Sequence, residues 1–256
     1  MNENQTDPGR QAPYESGPKP TLHPPSVHTM KMGHLPLTVF VTGAISGLFA
    51  LAFELGSTPP IASTGLLVLL IVFAGSRPKR SEAAPTTGTR FTVARVALTC
   101  LLGGLAVIPA GNPSEQILWS VAIMGVAAAS FEALDGWMSR WTGSVSSFSE
   151  RMGAMAGALL VLSLALLVWQ LGLAGGWVLA AGLLGFVEVA MRPQDASQES
   201  RLVQVWGGLA VRLALAFAIA PGLPGIAVIG LAVLATACAV ALAGATMLER
   251  QHATRA

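Results

Sequence analysis

Charge is what this sequence has least of. Lys, Arg, Asp and Glu make up 11% of its 256 residues, less than half of the roughly 25% usual in soluble domains. That scarcity excludes a chain held open by its own charge and a conventional soluble enzyme. Cysteine is scarce too: Cys100 and Cys238 are the two present, each inside an apolar run, which excludes a disulfide framework. The 15 basic and 13 acidic residues leave a net charge of +2, too small to argue for a nucleic-acid partner. The histidines (His23, His28, His34 and His252) lie towards the two ends and form no ligand cluster. No phosphate-cradling P-loop, dinucleotide fingerprint or nucleophile elbow is found.

What the sequence has is apolar surface. The hydrophobic share is 53%, and 28 glycines come on top, giving roughly 64% against about 45–50% in soluble proteins. Eight apolar stretches stand out, at 35–53, 59–75, 91–110, 117–134, 153–169, 176–191, 203–220 and 223–248. Most approach the ~20 residues of a spanning helix, and they are continuous rather than alternating, which favours helices over barrel strands. The expected fold class is therefore all-α, a polytopic helical membrane protein whose partners include membrane lipids. Residues 1–34, with prolines at 8, 13, 18, 20, 24 and 25, are expected to be a disordered tail without the pattern of a signal peptide. Residues 76–90 read as a basic linker between a first helix pair at 35–75 and six helices at 91–248. Residues 249–256 form a second tail.

Basic residues set the expected orientation. The loops near 54–58, 111–116, 170–175 and 221–222 contain no Lys or Arg. All the basic residues except Arg95 and Arg212 fall in the other loops, the tails or their edges. This positive-inside pattern places both termini in the cytoplasm. Arginine outnumbers lysine and Ala and Gly abound, a composition suggesting a GC-rich bacterial genome and hence a plasma membrane. All six tryptophans sit near segment ends, as an interfacial belt requires.

The chemistry-bearing stretch is Phe131-Glu-Ala-Leu-Asp-Gly-Trp-Met-Ser-Arg140, followed by Ser149-Glu-Arg-Met-Gly-Ala-Met-Ala-Gly157. Glu132 and Asp135 are three apart and share a helix face. Two carboxylates there need water, a basic partner or a cation, and Mg²⁺ takes one or two carboxylates together with substrate phosphates. Gly136 allows close approach of a substrate to the backbone, and Arg140 suits a phosphate. The same residues are also what a helix end with solvated charges looks like. Arg95 and Arg212 are intramembrane charges: either functional groups with an anionic partner or snorkelling side chains. Glu188 is a candidate partner for Arg212.

This stretch resembles the signature of the CDP-alcohol phosphatidyltransferase family, Asp-x2-Asp-Gly-x2-Ala-Arg-x8-Gly-x3-Asp-x3-Asp. Without a gap, the pattern falls on Glu132, Asp135, Gly136, Ser139, Arg140, Ser149, Gly153 and Gly157. Family members have six spanning helices with the motif joining the second to the third, and many carry an arginine in the first, as Thr92-Val-Ala-Arg95 does here. The resemblance covers 91–248, leaves the pair at 35–75 as an addition, and implies a six-helix phosphatidyltransferase-like bundle. It implies Glu132 and Asp135 as ligands of Mg²⁺ or Mn²⁺, Gly136 and Arg140 facing the nucleotide and its diphosphate, and Arg95 and Arg212 as substrate-binding residues in a cytoplasm-facing cleft. The family's last two aspartates hold the metal and supply the base; here they are Gly153 and Gly157. Losing a base typically costs ~10²–10⁴-fold, so no confident catalytic residue remains, Glu150 being the nearest substitute base. Ser149-x3-Gly153-x3-Gly157 instead forms a small-residue ridge suited to close helix packing.

The expectation is a degenerate member that binds lipid, a CDP-linked lipid, nucleotide or a protein partner, with transfer weak or lost. The alternatives are an active Mg²⁺- or Mn²⁺-dependent phosphatidyltransferase of phospholipid synthesis, and a small transporter lined by Arg95, Arg212 and Glu132. The face carrying Gly43, Gly47 and Ala50 is expected to pack closely, against a second copy or another membrane protein.

Overall fold

A computed structural model describes residues 34–75, 87–107, 113–142, 147–191 and 198–253. Among these residues the backbone is helical, without strands. The helices are α1 (His34–Ala52), α2 (Thr58–Gly75), α3 (Thr87–Ala106), α4 (Glu115–Thr142), α5 (Ser147–Gln170), α6 (Leu179–Met191), α7 (Gln198–Ile219) and α8 (Gly225–Ala253), with a 3₁₀ turn, Gly176–Val178, leading into α6. Three segments within them are long and apolar enough to cross a membrane, Glu115–Leu134, Met152–Gln170 and Gly225–Gln251, and five others are shorter and apolar. Residues 1–33, 76–86 and 254–256, on which the expected tails and most of the linker fall, lie outside the described residues.

The helices outrun the apolar stretches that announce them. Residues 87–90 belong to α3, residues 198–202 to α7 and residues 249–253 to α8, although each was expected in a linker, loop or tail. Apolar runs end where charge begins. Glu, Gln and Arg, common in these extensions, are good helix formers, so the backbone stays helical into polar sequence. The sixth stretch is the reverse case. Its first three residues form the 3₁₀ turn, which leaves α6 with 13 residues.

Six helices, α3 to α8, pack around one apolar core that includes Leu102, Ala128, Leu160, Leu164, Leu215 and Ala232. α5 is its axis: 67% of its apolar window is buried, against 28% in α4 and 33% in α8. α5 touches α2, α3, α4, α6 and α7. Outward-facing side chains are large and apolar, such as Phe40, Leu51, Ile61 and Ile226, as they must be where hydrocarbon is the solvent. Hydrophobic burial then gives helices little reason to associate, and small residues and polar contacts take over. Gly182 of α6 shows this: a Cβ there would lie 2.6 Å from the Leu162 backbone of α5.

The first helix pair follows the same rule. Ser63 on α2 donates to Ser46 on α1 at 2.8 Å, and Gly43 on α1 leaves room for Thr64, whose Oγ1 would be 3.2 Å from a Cβ there. The small-residue face of α1 is thus partly used on α2, while Gly47 faces open space. α2 in turn lies on α3. At Gly104 a Cβ would sit 2.6 Å from the Pro59 carbonyl and 2.9 Å from the Ser63 Cβ. A second apolar cluster, with Leu67, Val96, Cys100 and Ala156, joins α2, α3 and α5.

Because the Gly104 contact is backbone against backbone, Gly104→Leu is expected to part α2 from α3. Overpacking of this kind costs about 1–3 kcal/mol. Thermal unfolding in detergent should show a lower midpoint, and limited proteolysis should cut faster between residues 76 and 86. An unchanged midpoint would refute the close approach.

Candidate functional site

The motif stretch is divided between two helices. Glu132, Asp135, Gly136 and Arg140 all lie on the last turns of α4, and Glu150, Gly153 and Gly157 on the first turns of α5. The side chains of Asp135, Arg140 and Glu150 lie outside the described residues. Glu132, Gly153 and Gly157 are described, and they meet two residues from elsewhere in the chain.

Those two are Arg95 and Arg212, the arginines that the sequence places within apolar stretches. Arg95 on α3 and Arg212 on α7 are 3% and 9% exposed. Both converge on Glu132: Arg212 Nη1 is 2.5 Å and Arg95 Nη2 is 3.5 Å from the same carboxylate oxygen, Oε2. Arg95 also donates through Nη2 to the backbone carbonyl of Gly153. Four helices, α3, α4, α5 and α7, therefore meet at one cluster of charge. The backbone explains how Arg212 reaches it. Helical side chains lean towards the N-terminal end of their helix. Arg212 does so: its Nη1 would be 3.3 Å from a Cβ placed at Gly208, one turn earlier.

The two glycines make room for this arrangement. A Cβ at Gly157 would overlap the Arg212 guanidinium and lie 3.3 Å from Arg95 Nη2. A Cβ at Gly153 would lie 3.6 Å from Arg95 Nη1. The space beside Gly153 and Gly157, expected to admit a neighbouring helix, is filled at these two positions by guanidinium groups from α3 and α7. The partner of Arg212 is likewise Glu132 rather than Glu188, which lies half-buried on α6.

The electrostatics follow from burial. A buried guanidinium is costly unless it is paired and hydrogen-bonded, and two guanidiniums side by side repel. Glu132 contacts both and offsets part of that cost. Its side chain keeps 22% of its surface open, more than either arginine side chain. The fit is electrostatic rather than directional: Oε2 makes no aligned hydrogen bond, and the buried Nε of Arg212 has no hydrogen-bond acceptor. Among the described residues no group of three or more His, Cys, Asp or Glu side chains comes together as a metal site would require.

Gly157→Ala is expected to lower stability by about 1–3 kcal/mol, because the new methyl must displace a guanidinium. In the Arg212→Gln background, where that group is gone, the same substitution should cost far less. Thermal unfolding of the single and double variants measures the difference; equal costs in both backgrounds would refute this role for Gly157.

Compared with protein-family models, curated proteins and solved structures, the chain matches none, so its function has to be argued from this cluster and its setting.

Proposed function

We propose that this chain is a multi-pass membrane protein whose residues 91–248 descend from a CDP-alcohol phosphatidyltransferase-like bundle, with the metal centre replaced by arginines. In this reading all eight helices are membrane-embedded, the membrane is a bacterial plasma membrane, and the basic ends of the helices and both termini face the cytoplasm. The protein binds a phosphate-bearing lipid or nucleotide at Arg95 and Arg212 and does not transfer it efficiently.

One observation carries the reading: where the resemblance calls for two carboxylates, the chain has glycines, and the guanidiniums of Arg95 and Arg212 occupy the space beside them. The described residues do not fit a divalent cation. A metal at Glu132 Oε2 would have to displace a guanidinium 2.5 Å away. Gly153 and Gly157 offer no side-chain oxygen, and the Gly153 carbonyl already accepts from Arg95. Metal ions in such sites neutralise the charge of a phosphoryl group. Arginines, always protonated and forked, neutralise charge and bind phosphate without a metal. What they do not provide is a base, and a missing base alone typically costs ~10²–10⁴-fold in rate.

The test is CMP release in proteoliposomes supplied with Mn²⁺, CDP-diacylglycerol and a panel of alcohols. The expected result is no release above protein-free vesicles, with CDP-diacylglycerol still bound when EDTA is present. Metal-dependent turnover that disappears in Asp135→Ala would overturn the proposal and establish an active transferase.

A further inference from the structure

The arginine cluster is closed by a residue of its own chain, and that closure has a chemical meaning. Glu132 occupies the position that an anionic ligand of Arg95 and Arg212 would take. We infer that Glu132 is an internal competitor: its carboxylate holds the two guanidiniums until a phosphate group displaces it. The inference rests on the phosphate-binding reading above and adds the means by which occupancy is controlled.

Three features support the exchange. First, Glu132 is the member of the trio that reaches the surface. Its side chain is 22% exposed, while the side chains of Arg95 and Arg212 are 4% and 11% exposed. Second, Glu132 serves both arginines poorly. A single oxygen contacts both guanidiniums, neither contact is an aligned hydrogen bond, and the buried Nε of Arg212 has no acceptor. A tetrahedral phosphate presents several oxygens, enough for a bidentate contact with one arginine and a further contact with the other. Third, both guanidiniums also meet α5: Arg95 donates to the Gly153 carbonyl, and Arg212 lies in the space beside Gly157. With the carboxylate displaced, a phosphate bound between them would supply the negative charge that Glu132 gives up.

Competition of this kind has a defined sign. Removing the internal anion removes the cost of displacing it, so a phosphate ligand should bind Glu132→Gln more tightly than wild type. The expected gain is about tenfold, inside the roughly 5–150-fold range common for coupled equilibria. Arg212→Gln should abolish binding with or without Glu132.

The experiment uses the full chain in detergent with EDTA present. Inorganic phosphate and a short-chain phosphatidic acid are titrated calorimetrically, with chloride at matched ionic strength as control. Tighter binding of phosphatidic acid alone in Glu132→Gln supports the exchange and assigns a lipid headgroup; tighter binding of both probes supports it for free phosphate as well. Equal or weaker binding in Glu132→Gln, with wild-type binding intact and dependent on Arg212, overturns the competitor while leaving the phosphate site standing. No binding of either probe to either protein overturns both. Glu132→Gln removes the carboxylate that both buried guanidiniums contact, so its folding is measured in parallel. Phosphate is expected to raise its thermal midpoint more than that of wild type. If it does not fold in either salt, Glu132→Asp, whose carboxylate is held one methylene further back, replaces it. Affinity above wild type then supports the proposal, and affinity at or below wild type overturns it.

Discussion

One carboxylate shared by two arginines is the constraint on which the rest of this structure depends. Buried ion pairs are seldom the most stable way to fill a core, but removing one partner from such a pair commonly costs 3–5 kcal/mol. Here the partners come from α3, α4 and α7, and the backbone of α5 completes the set. The cluster therefore fixes how four of the six bundle helices sit relative to one another. Elsewhere in the bundle, close approach at residues such as Gly182 and Gly104 supplies the contacts.

Gly153 and Gly157 belong with Arg95 and Arg212 as one physical unit, since a side chain at Gly157 and the guanidinium of Arg212 exclude each other. The bare backbone of α5 gives the two guanidiniums room, and Glu132 is the described carboxylate that meets both. Arginine stays protonated at any physiological pH, so the positive charge of the cluster is carried by the chain itself.

Much of the fold can be read from the sequence, because apolar length is a strong signal. Eight apolar stretches correspond to α1 to α8. The ends are less legible, because hydropathy marks lipid and helix formation does not stop at its boundary; residues 249–253 in α8 show this. At the site, the sequence singles out Glu132, Arg95 and Arg212 one by one. Their meeting is not legible, since α3, α4 and α7 are joined by no pattern that a single sequence reveals. The glycines are the clearest example. At a spacing of four they look like a surface for another helix, and nothing local says that long cationic side chains from α3 and α7 will lie there. The Gly153 carbonyl is invisible to any reading of side chains.

The sequence order of the cluster has a consequence for biogenesis. Translation delivers Arg95 first, Glu132 next and Arg212 last. A buried cation is thus made before the carboxylate it contacts, which follows with α4. Arg212 arrives only when α3, α4 and α5 have been made, with its seat at Gly157 already in place. The cluster is thus complete only once α7 has been made: a chain stalled before it holds Arg95 and Glu132 and lacks Arg212.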